Sequence, residues 1–434
     1  MAENPSPRRW LMISFAFWAT LINYLDRQTL SVAAPVLREQ FHMSNVMYSH
    51  VLFAFLLAYT IMNGVSGPLI DRLGTRLGYA LCVGWWSLSA LLHAFARGPI
   101  SLGVFRFLLG TGEAGNWSAG VKVVSEWFPE RERALASGIF NSGAAAGAIL
   151  APPVVALIIL KLGWPAAFAF TGVAGFVWLA FWLPKYRSPE AIVTAGSMDV
   201  PGLSRQSEAT TDGPSGPALP SKPRPVPVGQ LIRTRFVIWF TLSKIFMDPA
   251  WYFYIFWFPE YLKRARHFDL AAIGKYAWIP FAVAGLGNFL GGMLSSLLFR
   301  RGLSSTHARK GAASFFAFLM TATVPAVLVN NAAVSIALVS IAMLGYTGCL
   351  ANMMAMPADV FPQHAVASVW GLAGLGSGSG GMIFALMTGW VVDHFSYTPV
   401  FFGFGLMPLI FVLMLWTLVG PLRPARLGPP PHPL

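Results

Sequence analysis

The stretch Gly67-Pro68-Leu69-Ile70-Asp71-Arg72-Leu73-Gly74-Thr75-Arg76 separates two apolar runs, residues 47–70 and 77–96. Its charges and glycines do not belong in hydrocarbon, whereas each flank has about the 20 residues that cross a core of roughly 30 Å. It reads as a tight glycine turn joining two membrane helices. Asp71 stands at a helix end, and the basic residues can pair with neighbouring helices in one conformation only. A degraded echo lies further along, at Gly291-Gly292 and Arg300-Arg301-Gly302.

Outward from this turn the same alternation fills the chain. Six apolar runs lie at residues 10–35, 47–70, 77–96, 99–121, 134–160 and 165–184. Six more lie at 236–262, 271–299, 311–329, 332–356, 365–391 and 399–420. The composition agrees: 56 % of the 434 residues are hydrophobic and 11 % charged, against about 25 % charged in soluble domains. The expected fold is therefore an all-α membrane protein of twelve transmembrane helices in two pseudo-symmetric six-helix bundles. Residues 1–184 form the N-terminal bundle and 236–420 the C-terminal one. Between them, 185–235 is a Pro/Ser/Gly-rich linker unable to bury an apolar face, and 421–434 is a tail.

The net charge of +13 raises nucleic-acid binding, but the charges sit between apolar runs, with no soluble domain to present them. They serve orientation instead. With the N-terminus inside, 20 Lys or Arg fall on one side and 6 on the other. The positive-inside rule then places both termini and the linker in the cytoplasm of a cell inner membrane. Lys263, Arg264 and Arg266 are the exception, falling outside. Cys82 and Cys349 lie within apolar runs and offer no disulfide framework or metal site. No metal and no cofactor are expected, and the chain is expected to act as a monomer in the bilayer.

Ionisable groups inside a membrane are expensive and need a reason. The first helix carries Asn23-Tyr24-Leu25-Asp26-Arg27-Gln28. Adjacent residues on a helix point about 100° apart, so Asp26 and Arg27 must each find another partner or a watery cavity. The fourth helix carries Arg106 and Glu113, two turns apart on one face, among Gly103, Gly110, Gly112 and Gly115, which admit a close backbone. Burial and a nearby arginine pull a carboxyl's protonation in opposite directions, which makes Glu113 a candidate switch. The seventh helix has Lys244 and Asp248 at i, i+4, a spacing that can satisfy itself. Pro249 follows, and would kink the helix as at transporter binding sites. Tyr59 and Asn141 are single polar residues in apolar helices, where a helix–helix hydrogen bond is the default.

The decapeptide at 67–76 fits the G-x-x-x-D-R-x-G-x-R signature of the major facilitator superfamily, with Gly67, Asp71, Arg72, Gly74 and Arg76 as its conformational residues. Arg106-x-x-x-Gly110 matches a second motif, and Gly143-x-x-x-Gly147 with Pro152-Pro153 resembles the glycine-rich fifth helix. Within the superfamily the chain resembles the anion:cation symporter branch. The likeness runs through Asn23–Arg27, Ser125-Glu126-Trp127-Phe128-Pro129, Phe140-Asn141-Ser142-Gly143, Asp248–Tyr254 and Ala277-Trp278-Ile279-Pro280-Phe281. Among its members the bacterial hexuronate carriers are most similar. The resemblance implies proton coupling at Asp26 and Glu113 with Arg106 beside them, and carboxylate binding at Arg27. Tyr24, Tyr59 and Asn141 would line the substrate pocket; Lys244, whose pair with Asp248 reads equally as site or structure, and Trp251 are the substrate-binding candidates of the second half. Where hexuronate carriers often have an acidic residue in the eighth helix, this chain has Gly285, which leaves the sugar acid open.

The implied activity is proton-coupled import of a small organic anion, most simply a hexuronate such as glucuronate or galacturonate, with protons as the coupling ion. An aldonate such as galactonate is the alternative, and an organophosphate–phosphate exchanger a further one that the intramembrane carboxyls disfavour. No HExxH or GxSxG motif supports an intramembrane enzyme, and no sensory domain supports a receptor.

Overall fold

The computed structural model describes residues 8–187 and 227–425 and is helical almost throughout. The first half comprises α1 (Arg8–Gln40), α2 (Asn45–His93), α3 (Pro99–Glu113), α4 (Gly115–Trp127), α5 (Glu130–Leu162) and α6 (Trp164–Lys185). After the short α7 (Val228–Leu231) come α8 (Arg235–Met247), α9 (Pro249–Arg266), α10 (Leu270–Tyr276) and α11 (Ile279–Arg300). Then follow α12 (Ser305–Leu319), a 3₁₀ turn, α13 (Thr323–Leu328), α14 (Ala332–Val360), α15 (Gln363–His394) and α16 (Tyr397–Thr417). The expected linker falls mostly outside the described residues; within it, α7 is helical.

Among the described residues, the fifteen helices other than α7 make twelve spans. The second and third share one 49-residue helix, α2, whose course turns at Gly74 (φ 76°, ψ 157°). The fourth divides at Ala114, which keeps helical angles, and the seventh at Asp248, just before Pro249. Proline has no N–H to continue the ladder. Among the described residues eight helical stretches are by themselves long and apolar enough to cross a bilayer. The three spans left out are α1, α3–α4 and α8–α9, which carry Asp26 and Arg27, Arg106 and Glu113, and Lys244 and Asp248.

Each half repeats the other's packing. In the first, Gly143 and Gly147 on α5 lie against the carbonyls of Phe17 and Leu21 on α1. In the second, Gly376 and Gly380 on α15 lie against the carbonyls of Thr241 and Ile245 on α8. Both are glycines four residues apart on carbonyls four residues apart, the small-residue contact that membrane helices use. Likewise α3 packs on α2 through Gly110 and Gly112, and α11 on α14 through Gly287 and Gly291. Gly103 corrects the sequence reading: a Cβ there would meet nothing within 4 Å, so it admits no neighbour.

The halves meet through the C-terminal parts of α1 and α9, α2 against α15, and α5 against α10. Polar ties across this seam gather at one end. Arg38 pairs with Glu260, and Asp393 accepts from the backbone of Asn45 and Val46 at 2.9 and 2.8 Å. Ser31 and Tyr48 both donate to the Phe256 carbonyl. At the other end the ion pairs among the described residues stay within one half: Arg9–Glu132 and Lys122–Asp71 in the first, Arg309–Asp359 in the second. Among the described residues, polar ties seal the end away from the N-terminus, and none crosses the seam at the end that bears it, here called the parted end.

Candidate functional site

The charged centre lies in the first half, between α1 and α3. Arg27 on α1 is 4 % exposed and Glu113 on α3 is fully buried. Arg27 Nε and Nη2 donate to one oxygen, Glu113 Oε2, at 3.1 and 2.9 Å. Glu113 Oε1 is buried without a hydrogen-bond partner. The guanidinium is boxed by aromatic faces, with Tyr59, Tyr24 and Phe55 centred 4.7, 5.0 and 5.3 Å away. Such faces attract a cation through the ring quadrupole.

Arg106 is not the direct partner of Glu113 that their shared face suggested. Its Nη2 donates to the Arg27 carbonyl at 2.7 Å, and its Nε and Nη1 are buried without acceptors. Asp26 points away from Arg27, as adjacent helical residues must. Both of its carboxyl oxygens are buried and unpartnered. The hydroxyl of Thr171, which faces Asp26 from α6, donates to the Phe168 carbonyl instead. Four buried charges thus sum to zero when both carboxyls are ionised, yet only one direct ion pair forms among them.

Across the seam, Lys244 and Asp248 pair at 2.7 Å, so the self-satisfied arrangement is the one adopted. Lys244 also lies over the Trp370 ring at 5.0 Å, and Tyr346 donates to Asp248 at 3.2 Å. Trp251 stacks on Tyr346 with centroids 5.0 Å apart. Two tyrosines not singled out from sequence join the halves: Tyr252 lies near both Arg27 and Asp248, and Tyr346 near both Asp248 and Tyr24. The Tyr252 position stood inside a quoted motif, but only the fold shows which way it turns. Asn141 is partly buried, its Oδ1 unpartnered. It lies six residues, about 9 Å, below the point where Gly147 meets Tyr24, so it belongs to the parted end rather than beside Arg27. Gly285 is exposed on α11, and a Cβ there would meet nothing within 4 Å.

Among the described residues the turn at 67–76 is tied only to its own half. Asp71 pairs with Lys122 at 2.7 Å, and Arg76 donates twice to the Leu183 carbonyl. Arg72 is exposed, with no hydrogen bond or ion pair among the described residues. Gly67 packs loosely near Ser118.

Two symmetric membrane bundles, sealed at one end over a buried set of opposed charges, define a secondary transporter rather than an enzyme. The chain belongs to the Major Facilitator Superfamily, whose family model matches residues 16–346. It is 32 % identical over 413 residues to the hexuronate transporter of Escherichia coli K12, covering 95 % of this chain and 94 % of that one. It is 36 % identical over 290 residues to the galacturonate transporter of Dickeya chrysanthemi, covering 67 % and 82 %. In fold it matches a bacterial homologue of the human lysosomal transporter Spinster, with a TM-score of 0.71 at 19 % identity, over 94 % and 95 % of the two chains.

Proposed function

We propose that the protein imports a sugar acid, most simply a hexuronate, by proton symport and alternating access through a cell inner membrane, with both termini cytoplasmic. The observation that carries this reading is the hold of Arg27 on a single oxygen of Glu113. A guanidinium fork takes a carboxylate through two parallel hydrogen bonds. Substrate carboxylate and Glu113 therefore compete for one cation. Protonating Glu113 releases Arg27, and protonating Asp26 as well leaves the buried set with excess positive charge for an anion. Proton binding thus builds the anion site, and deprotonation on the other side dismantles it. Tyr24, Tyr59, Tyr252 and Trp251 supply rings and hydroxyls for a sugar.

The energetics ask for more than one proton. Moving one negative charge into a negative-inside cell is uphill by about 2.3 kcal/mol per 100 mV. Two protons per monovalent anion make net movement cationic and favourable, and Asp26 and Glu113 are two carboxyls. Uptake into proteoliposomes across glucuronate, galacturonate and galactonate, with and without an inward proton gradient, tests this. Gradient-driven accumulation of a hexuronate is expected. Accumulation of galactonate alone would move the assignment to an aldonate carrier, and uptake indifferent to the gradient would remove symport.

A further inference from the structure

The basic residues that break the charge asymmetry, Lys263, Arg264 and Arg266, cluster at the sealed end. Arg264 and Arg266 join Arg38 in lining a cavity of about 530 Å³ between the halves, with Tyr397, Asn330 and Thr398. That volume is within the roughly 300–1,000 Å³ of small-molecule sites. Two of the three guanidinium groups in its wall meet one buried carboxylate, Glu260. Glu260 Oε1 takes both Arg38 and Arg264, while Glu260 Oε2 is buried and unpartnered. Arg266 donates to the carbonyls of Ala326 and Val329, which leave its charge uncompensated. Asp393, next to the lining residue Val392, has its carboxylate taken by Asn45 and Val46, and a positive excess remains. The hydroxyl of Tyr397 is buried beside these groups with no acceptor.

Taking the sugar-acid reading above as its basis, we propose that this vestibule is a second, peripheral anion site. It receives the carboxylate of a polyhydroxy acid before transport, on Arg264 and the Tyr397 hydroxyl. By competing with Glu260 for Arg38, the docked carboxylate loosens the ion pair that seals this end. A concave basic mouth raises the local concentration of an anion and its on-rate, and salt abolishes the gain. The same cluster that orientation alone would exclude from this side thereby has a use there.

The test uses the full chain, uniformly oriented in proteoliposomes, with glucuronate and galacturonate as probes. KM is measured for entry from the sealed face and from the parted face, at low and high ionic strength. Arg264→Gln is expected to raise KM about fivefold for entry from the sealed face at low salt. The rise from the parted face should be less than half as large, and the salt dependence of sealed-face KM should flatten. Arg264→Lys keeps the charge and should restore most of both. Equal changes on the two faces, an unaltered sealed-face KM, or a lysine variant as impaired as the glutamine would each overturn the vestibule site while leaving the transport reading intact. Wild-type protein that carries neither probe in either direction would overturn that reading, and this inference with it.

Discussion

At the residue scale the centre turns on one carboxylate oxygen shared by two N–H groups. Glu113→Gln keeps an acceptor for Arg27 but cannot hold and release a proton. We predict loss of gradient-driven accumulation with counterflow exchange of substrate retained; accumulation that survives in this variant would make Glu113 structural only. Arg27→Lys keeps the charge and loses the fork. We predict that it weakens substrate binding by about 2 kcal/mol, as for a charged hydrogen bond, or roughly 30-fold. Undiminished affinity in a titration of folded protein would move the carboxylate site elsewhere. That these four charges need partners or a polar cavity is legible in the sequence, because hydrocarbon makes each one conspicuous. Their pairing is not: helical periodicity puts Arg106 and Glu113 on one face, but their axial separation of about 10 Å leaves Glu113 to the arginine of a neighbouring helix.

At the element scale, apolar runs locate the twelve spans because length and hydropathy are properties of the chain itself. The divisions at Ala114 and Asp248 and the fusion across Gly74 depend on hydrogen-bond ladders, which hydropathy does not record. Pro249 alone signals one of them. Glycines are read in sequence only as permission for close approach, and the structure separates those that use it. A Cβ at Gly147 would lie 2.5 Å from the Leu21 carbonyl oxygen and 2.8 Å from the Tyr24 Cβ. Gly147→Ala is therefore predicted to push α5 from α1, displace Tyr24, and raise substrate KM while lowering the apparent melting temperature. Gly103→Ala, in open space, should be neutral or stabilising by up to about 1 kcal/mol. Gly74 holds a conformation that is essentially glycine-only, so Gly74→Ala should lose about 1–3 kcal/mol. Thermal unfolding followed by tryptophan fluorescence ranks the three, and a Gly103→Ala melting point as low as the Gly147→Ala one would refute the packing argument.

At the scale of the whole molecule, the proposed alternating access requires that the sealed end part and the parted end close. The ties to be exchanged are few, and one of them is unusual in joining a helix start to a side chain of the other half. Asp393 at the end of α15 takes the Asn45 backbone at 2.9 Å, the Asn45 side-chain nitrogen at 2.6 Å and the Val46 backbone at 2.8 Å. These N–H groups open α2 and have no partner within their own helix. A carboxylate there also meets the positive end of the helix dipole. In the sealed state Asp393 is in effect a cap lent across the seam, and parting the halves removes it. Asp393→Asn keeps the shape, discards the charge and converts one acceptor into a donor that faces donors. With capping substitutions worth typically about 1 kcal/mol, the sealed state should lose roughly fivefold in population against the state open at this end. Spin labels at Lys161→Cys and Ala333→Cys, exposed positions on opposite halves at this end, read the difference directly. The longer-distance population should grow in the Asp393→Asn background, and Glu260→Gln, which weakens the neighbouring Arg38 tie, should add to it. The two substitutions push in the same direction, because each removes a carboxylate charge that acts on Arg38 or closes this end. A distance distribution that Asp393→Asn leaves unchanged would mean that packing of α2 on α15, rather than this borrowed cap, holds the end shut.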